Sequence, residues 1–165
     1  MSVRRGNNMV LVTFKLADKE YVLDIGQVCE IIRMREIISI PDSADFVEGV
    51  MNLRGKVIPL ISLRKKFGLG HLDSNRLSRI IISQLKNGHF MGVVVDAVSD
   101  VITLHTSDIT PPDDVLKKAK YLIGVGRIEK RLILIADIEK LLTAREITGI
   151  KEVHGRVEIK RRQKD

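Results

Sequence analysis

Tryptophan is absent from this sequence, and cysteine occurs once, at Cys29. A single cysteine excludes a disulfide within the chain and a zinc site built on several cysteines, so we expect Cys29 to be a small core residue. Aromatic residues make up only 4% of the chain. The core must therefore consist mainly of Ile, Val and Leu, and base-stacking platforms for nucleic acid are not expected.

Long apolar runs are also missing. No stretch approaches the roughly 18 residues that a membrane-spanning helix needs, and the start, MSVRRGNN, lacks the apolar segment of a signal peptide. The sequence therefore predicts a cytoplasmic protein. With 165 residues, 44% hydrophobic and 30% charged, the chain can form one domain or two small lobes with a real core.

The formal net charge of +7 first suggests nucleic acid or an anionic membrane surface as a partner. Part of this excess lies at the C-terminus, where residues 151–165 hold six Lys or Arg and three acidic residues. The rest is scattered, and neither an RNA-binding signature nor a recognition-helix pattern accompanies it. Residues 146–165 are interpreted as a basic, solvated C-terminal tail.

Catalytic and metal-binding patterns are weak. Four histidines fall in predicted turns or strand ends without metal-ligand spacing, namely His71, His89, His105 and His154. Gly124-Val125-Gly126 begins like a dinucleotide loop, but the third glycine is missing and a strand follows. Asp96 and Asp100 would act as a carboxylate pair only if both faced a cleft. We predict no enzyme activity, no cofactor and no small-molecule substrate.

Apolar periodicity predicts many short strands joined by turns. Strands are expected at 9–16, 21–23, the end of 25–34, 37–40, 50–53, 57–61, 79–85, 90–95, 98–104, 121–126 and 131–136. Helical segments are expected at the start of 25–34, at 42–47, at 63–67, from about 113 to 120, and as a closing helix at 137–145.

The second half of the chain repeats the first. Leu16 and Tyr21 match Leu85 and Phe90 at an offset of 69 residues, segment 28–32 matches 98–102 at 70, and the central hairpin matches a later one at 75. Chance similarity is the alternative. The repeat predicts two lobes, about 9–69 and 76–136, each with about five strands curled into a small barrel. The closing helix is expected to pack back on the first lobe.

The central hairpin, GVMNLRGKVIPLISLRKKF from Gly49 to Phe67, has Arg54-Gly55 at its tip. Gly55 supplies the positive φ that a tight turn needs, so the cation of Arg54 is held outward. We interpret Arg54 as a contact residue; an ordinary solvated turn arginine is the alternative. The matching later hairpin carries Glu129-Lys130, which makes the Arg54 tip the specialised one.

Several segments together resemble the CheW family of bacterial chemotaxis coupling proteins. They are FKLADKEYVLDIGQVCEI, GVMNLRGKVIPLISLRKKFGL, GVVVDAVSDVITL and YLIGVGRIEKRLILIADIEKLL, and the resemblance covers residues 9–142. It implies one mainly β domain, about 9–145, made of two five-stranded SH3-like barrels around a shared hydrophobic interior, with short helices and a C-terminal helix. The chain has no room for the kinase or receiver modules that accompany this domain in CheA and CheV.

The resemblance also implies a function and a site. Family members are non-catalytic adaptors that couple chemoreceptor cytoplasmic tips to the regulatory domain of the histidine kinase CheA at membrane-bound receptor arrays. A scaffold of another motility pathway, or a basic β-barrel protein that binds nucleic acid, are the alternatives. The positions matching the family's receptor-binding or kinase-binding residues are Arg54, Gly55, Gly49, Val28 and Glu30. For Glu30, a surface salt bridge with Arg33 or a nearby lysine is the simpler alternative.

Overall fold

Twelve short strands in two sheets form most of the part of the chain that the structure describes. This computed structural model describes residues 4–5, 7–113 and 119–142. In chain order the strands are β1 (Arg4–Arg5), β2 (Asn8–Leu16), β3 (Lys19–Asp24), β4 (Glu30–Arg33), β5 (Val47–Leu53), β6 (Lys56–Ser62), β7 (Arg79–Gln84), β8 (Phe90–Val95), β9 (Ala97–His105), β10 (Ile109–Thr110), β11 (Leu122–Ile128) and β12 (Arg131–Ala136).

Short helical turns join some of the strands. The α-helix α1 spans Leu63–Lys66, and 3-10 turns span Ile25–Gln27, Thr106–Asp108 and Ile138–Lys140. The Ser62 side chain caps α1 by accepting a hydrogen bond from the Lys65 amide at 3.3 Å. A serine at this position satisfies an amide that has no partner inside the helix, which is why the chain turns helical directly after β6.

The two sheets differ in which parts of the sequence supply their strands. Strands β4 to β8 form a five-stranded sheet in the order β4-β7-β8-β6-β5, here called the nested sheet. The flanking sheet has the order β1-β2-β3-β12-β11-β10, with β9 on β2. The nested sheet therefore comes from one continuous segment, whereas the flanking sheet combines strands from before and after that segment.

Strand pairing is reciprocal between the two halves of the internal repeat. The hairpin β2–β3 pairs with β9 and, in parallel, with β12, both from the second half. The corresponding hairpin β7–β8 pairs with β4 and, in parallel, with β6, both from the first half. Each sheet thus takes a hairpin from one half and its neighbours from the other. The expected lobe limits, 9–69 and 76–136, describe the repeat in sequence but not the hydrogen-bonded sheets.

Side-chain alternation along these strands produces three apolar layers. Ile80 and Ile82 of β7 belong to a cluster on one face of the nested sheet, and Leu11 of β2 belongs to a cluster on one face of the flanking sheet. Ile81 of β7 and Phe14 of β2 belong to a third cluster, the shared core, to which both sheets contribute. Because alternate residues of these strands enter different clusters, both faces of a strand are apolar.

The shared core also contains a run of aromatic rings. Phe14 stacks on Tyr21 at 5.7 Å between ring centroids, Tyr21 contacts Phe67 at 5.3 Å, and Phe67 stacks on Tyr121 at 4.2 Å. The contacts join β2 and β3 to the end of α1 and to the residue before β11. This mainly β fold with two small sheets and a shared interior is the architecture that the sequence predicted.

Two local predictions in the first half are wrong. Segment 37–40 contributes only an isolated bridge between Ile38 and Val50, and Ile38 is exposed. Residues 42–46 form turns and loop instead of a helical turn, Val47 begins β5, and Asp42 has a left-handed backbone with φ of 60°. A residue in that conformation interrupts a right-handed helix, so its N-cap chemistry serves a turn.

The closing segment, residues 137–142, is a 3-10 turn over Ile138–Lys140 where an α-helix was expected. Ile138, Leu141 and Leu142 are buried in the shared core. The predicted continuation to residue 145 and the tail at 146–165 lie outside the described residues. So does most of the helix expected at 113–120, because residues 114–118 are not described.

Candidate functional site

The tip of the β5–β6 hairpin is a tight two-residue turn. Arg54 and Gly55 both have left-handed backbones, with φ of 53° and 83°. The Asn52 side chain closes the turn by accepting a hydrogen bond from the Gly55 amide at 2.9 Å. Positive φ was expected at Gly55 alone. Two such residues in succession are typical of the turns whose twist matches a β-hairpin, and they project the Arg54 side chain from a rigid base.

Arg54 and Glu30 form a bidentate ion pair. The two terminal nitrogens of Arg54 donate to the two carboxylate oxygens of Glu30, at 2.9 Å and 2.6 Å. The Arg54 side chain is 69% exposed and that of Glu30 is 32% exposed. The hydrogen bond from Arg54 is the main cause that lowers the pKa of Glu30, and the same bond raises the pKa of Arg54. Glu30 thus pairs with the tip arginine and not with Arg33.

Gly49 holds the base of this hairpin for a steric reason. Its φ is 143°, and a Cβ added there would lie 2.1 Å from the backbone oxygen of Ile38. The Ile38–Val50 bridge, with hydrogen bonds of 2.8 Å and 2.9 Å, needs this close approach. The geometry gives Gly49 a structural role in supporting the tip, whatever contact it makes with a partner.

Val28 lies between the 3-10 turn at Ile25–Gln27 and β4. Its side chain is half-buried and packs against the shared core. The next residue, Cys29, is exposed, so the expectation of a core cysteine is wrong. The Cys29 amide donates to the Ile82 carbonyl at 2.8 Å, which ties this segment to β7. Val28, Glu30 and Arg54 therefore lie on elements that are bonded to one another.

The later hairpin provides a natural comparison. Glu129 has φ of 53°, as Arg54 does, but Lys130 is not among the residues with positive φ, whereas Gly55 has φ of 83°. The charge is opposite, and the position that corresponds to Glu30 is Asp100, also acidic. A bidentate pair like that of the first tip cannot form there. The nearby Arg131 pairs instead with Glu20 at 3.1 Å.

A second ion pair was not predicted by the sequence. Arg64 of α1 donates to Asp96 at 2.6 Å, and both side chains are less than a fifth exposed. Asp96 also accepts from the Ala17 amide at 2.8 Å. Asp96 therefore has a structural role, and Asp100 is exposed on β9. A catalytic pair would need both carboxylates in one cleft, whereas Asp96 is held by Arg64 and the Ala17 amide and Asp100 is exposed.

Metal-binding and membrane-spanning features are not found in the described ranges. No group of three or more His, Cys, Asp or Glu side chains there is placed to hold a metal ion. Within those ranges no helix is both long enough and apolar enough to cross a membrane. His71 lies 2.9 Å from Asp73 in one loop, and His105 at the end of β9 lies 2.6 Å from Ser107 in the following 3-10 turn.

The fold and this surface define a class: a protein of two small β-sheets around a shared core, which presents a rigid charged hairpin tip. Comparison with known proteins narrows the class. The family model of the CheW-like domain matches residues 10–146. The chain therefore belongs to the CheW family.

Individual relatives agree with this assignment. The chain is 35% identical over 142 residues to the chemotaxis protein CheW of Klebsiella aerogenes, with 85% of each chain covered. It is 34% identical to CheW of Thermotoga maritima, over 86% of this chain and 91% of that one. The crystal structure of the scaffolding protein TtCheW from Thermoanaerobacter tengcongensis matches with a TM-score of 0.78 and 35% identity, covering 86% of this chain and 92% of that chain. The family and fold predicted from the sequence are thereby confirmed.

Proposed function

We propose that this chain is a non-catalytic adaptor that couples the cytoplasmic tips of chemoreceptors to the histidine kinase CheA. Its membership of a family of chemotaxis scaffold proteins supports the role. It would act in the cytoplasm, held at membrane-bound receptor arrays by its partners. The observation that carries the proposal is the exposed Arg54–Glu30 pair on the rigid hairpin tip.

The geometry of the pair suits recognition of another protein. Glu30 holds the Arg54 guanidinium in one orientation, so little side-chain entropy remains to be lost when a partner binds. The guanidinium has five N–H donors, and only two are engaged by Glu30. The remaining donors can bind carbonyl or carboxylate oxygens of a partner. A preorganised arginine is among the residue types that dominate binding energy at protein interfaces.

Apolar contact is available beside the charged pair. Val28 lies two residues before Glu30 and is only half-buried. Ile31 follows Glu30 in β4 and is 37% exposed, on the opposite face of the strand from Glu30. A helical hairpin with a polar and an apolar stripe, as expected of a receptor tip, could place its apolar stripe against Val28 and its polar stripe against Arg54.

The test is reconstitution of kinase activity. Autophosphorylation of CheA is measured with a receptor cytoplasmic fragment and increasing amounts of this protein. We expect Arg54→Ala to raise the concentration needed for half-maximal activation roughly tenfold, and Arg54→Glu to raise it further. Neither change should alter the melting temperature appreciably, because the Arg54 side chain is largely exposed.

A matched control is available on the other hairpin. Arg131 follows the second tip, is 51% exposed and pairs with Glu20, so Arg131→Ala removes a comparable surface pair. We expect this variant to activate the kinase as the unmodified protein does. Equal activity of Arg54→Ala, Arg54→Glu and Arg131→Ala would show that the Arg54 tip is an ordinary solvated turn. Failure of the unmodified protein with both CheA and receptor would contradict the proposed function itself.

A further inference from the structure

Gln27 joins the segment that carries Glu30 to the opposite end of the chain. Its side-chain nitrogen donates to the Asp137 carboxylate at 2.7 Å, and its side-chain oxygen accepts from the Ile138 amide at 3.2 Å. The Gln27 carbonyl accepts a hydrogen bond from the Ser83 hydroxyl. Both ends of the side-chain amide are thus directed at the closing segment, while the backbone is held by β7.

Asp137 is also held in place by its own segment. Its carboxylate accepts from the Glu139 amide at 3.0 Å and so caps the 3-10 turn. The Glu139 side chain accepts from the Lys86 amide at 2.6 Å, which anchors the turn to the β7–β8 connection. Ile138 is buried in the shared core. Gln27 is therefore bonded to a rigid element and not to a loose end.

The bonds from the Gln27 side chain to Asp137 and Ile138 are here called the Gln27 clamp. The internal repeat shows that this clamp is not a general requirement of the fold. The position matching Gln27 in the second half is Ala97, and the residue matching Asp137 is Ser62. Alanine has no polar side-chain atom, so the corresponding clamp cannot form beside the Glu129 tip. Only the copy that carries the Arg54–Glu30 pair has it, and the two tips also differ in backbone, because Gly55 has positive φ and Lys130 does not.

We infer that Gln27 is a positioning residue for partner binding, which holds segment 28–30 against the closing segment so that Glu30 and Arg54 meet the partner in one fixed arrangement. The inference rests on the proposed adaptor function and adds that partner binding requires the contact between Gln27 and the closing segment. Affinity at the hairpin tip depends on a contact that the partner does not touch. Loss of that contact should loosen Glu30, and Arg54 with it, while the shared core remains intact.

The test exchanges the polarity of the clamp. In the unmodified protein the Gln27 amide nitrogen lies 2.7 Å from the Asp137 carboxylate. Gln27→Glu replaces that nitrogen with a carboxylate oxygen, and two like charges so close repel each other. Asp137→Asn keeps an oxygen for Gln27 and for the Glu139 amide. The double variant, Gln27→Glu with Asp137→Asn, removes the like-charge contact, and the new amide at position 137 can donate to the new carboxylate at position 27. Because one Asp137 oxygen accepts from both Gln27 and the Glu139 amide, this reversed bond replaces the bond to Glu139. Binding of a receptor cytoplasmic fragment and of CheA is measured for all three variants by calorimetry.

We expect Gln27→Glu to weaken binding about fivefold, and the single Asp137→Asn and double variants to bind within about twofold of the unmodified protein. Exchange of the Cys29, Glu30 and Ile31 amides with solvent, followed by NMR, should accelerate in Gln27→Glu and recover in the double variant. The control is Gln84→Glu, which breaks a local bond from Gln84 to the Gly88 carbonyl on the exposed β7–β8 turn. It should leave binding unchanged.

The outcomes are distinguishable. Gln27→Glu that binds as the unmodified protein does, or a double variant that recovers neither binding nor amide protection, overturns the inference and leaves the adaptor function standing. An unmodified protein that binds neither receptor fragment nor CheA overturns the adaptor function, and the inference falls with it. A thermal melt of each variant establishes that binding is measured on folded protein.

Discussion

Replacing Gly49 with Ala should destabilise the protein far more than a typical surface substitution. The backbone at Gly49 has φ of 143°, which residues with a Cβ rarely adopt. The added Cβ would lie 2.1 Å from the oxygen and 2.8 Å from the carbon of the Ile38 carbonyl. The clashing atoms belong to backbone, so no side-chain rotation can relieve the contact. The Ile38–Val50 bridge must open, or the β5 strand must shift.

The cost follows from these two consequences. Backbone strain of this kind costs about 1–3 kcal/mol. The bridge contains two backbone hydrogen bonds, of 2.8 Å and 2.9 Å, and each contributes about 1 kcal/mol to stability. We therefore expect Gly49→Ala to lower the free energy of unfolding by roughly 3–5 kcal/mol. For a domain of this size the melting temperature should fall by about 10 °C or more.

Urea and thermal unfolding followed by circular dichroism measure the loss. Gly55→Ala is the matched control, since Gly55 has φ of 83° but nothing lies within 4 Å of its added Cβ. The control carries backbone strain without a clash, so it should cost only about 1 kcal/mol. If the two variants unfold within about 0.5 kcal/mol of each other, the close approach to Ile38 does not constrain Gly49 and the reasoning is refuted.

Three further predictions concern charge and ionisation. Arg64→Ala should lower the free energy of unfolding by about 2 kcal/mol in urea, because Asp96 loses its mostly buried partner; a loss below about 0.5 kcal/mol would contradict this. The pKa of Glu30 lies below its ordinary value of 4.5, so the exposed pair with Arg54 adds a small stabilisation above that value, which is lost as the pH falls through the lowered pKa. An NMR titration of the Glu30 carboxyl should show the lowered midpoint, and Arg54→Ala should move it back up. Burial raises the pKa of both tyrosines above 10.0. Folded protein therefore holds the phenol protons more tightly than unfolded protein, and stability falls as the pH rises beyond 10.0. Because the chain has no tryptophan, ultraviolet absorbance can follow tyrosinate, which should form at higher pH in folded than in urea-unfolded protein.

Local patterns in the sequence were sufficient to predict most strands and the central hairpin. Alternating apolar residues predict β2 correctly, a short apolar run predicts β7, and Gly55 indicates a turn at Arg54-Gly55 because few residues tolerate positive φ. The prediction failed at 37–40, where four apolar or small residues looked like a strand. There the close approach of Gly49 to the Ile38 carbonyl allows a single bridge, between Ile38 and Val50, and the Ile38 side chain remains exposed. That restriction depends on a residue eleven positions away, which a local pattern cannot show.

Long-range pairing explains the other differences. The sequence showed two similar halves but gave no signal that β3 pairs with β12 and β6 with β8, because parallel pairing joins strands far apart in the chain. The same limit applies to side chains. Arg54 and Glu30 lie 24 residues apart in the sequence, and the bidentate bond between them is seen only in the structure. Gln27 carried no signal at all, since an amide beside a turn is unremarkable in sequence.

The reciprocal strand exchange sets an order for folding during synthesis. All strands of the nested sheet have left the ribosome once Val95 has emerged, so that sheet can close early. The hairpin β2–β3 is synthesised early, but its neighbour β9 ends at His105 and its other neighbour, β12, ends at Ala136, so its sheet is completed last. Until then its apolar residues have no complete sheet to join, and such surfaces are prone to aggregation. The nascent chain should therefore depend on chaperones most strongly after β2–β3 has been synthesised and before β12 is available to pair with β3.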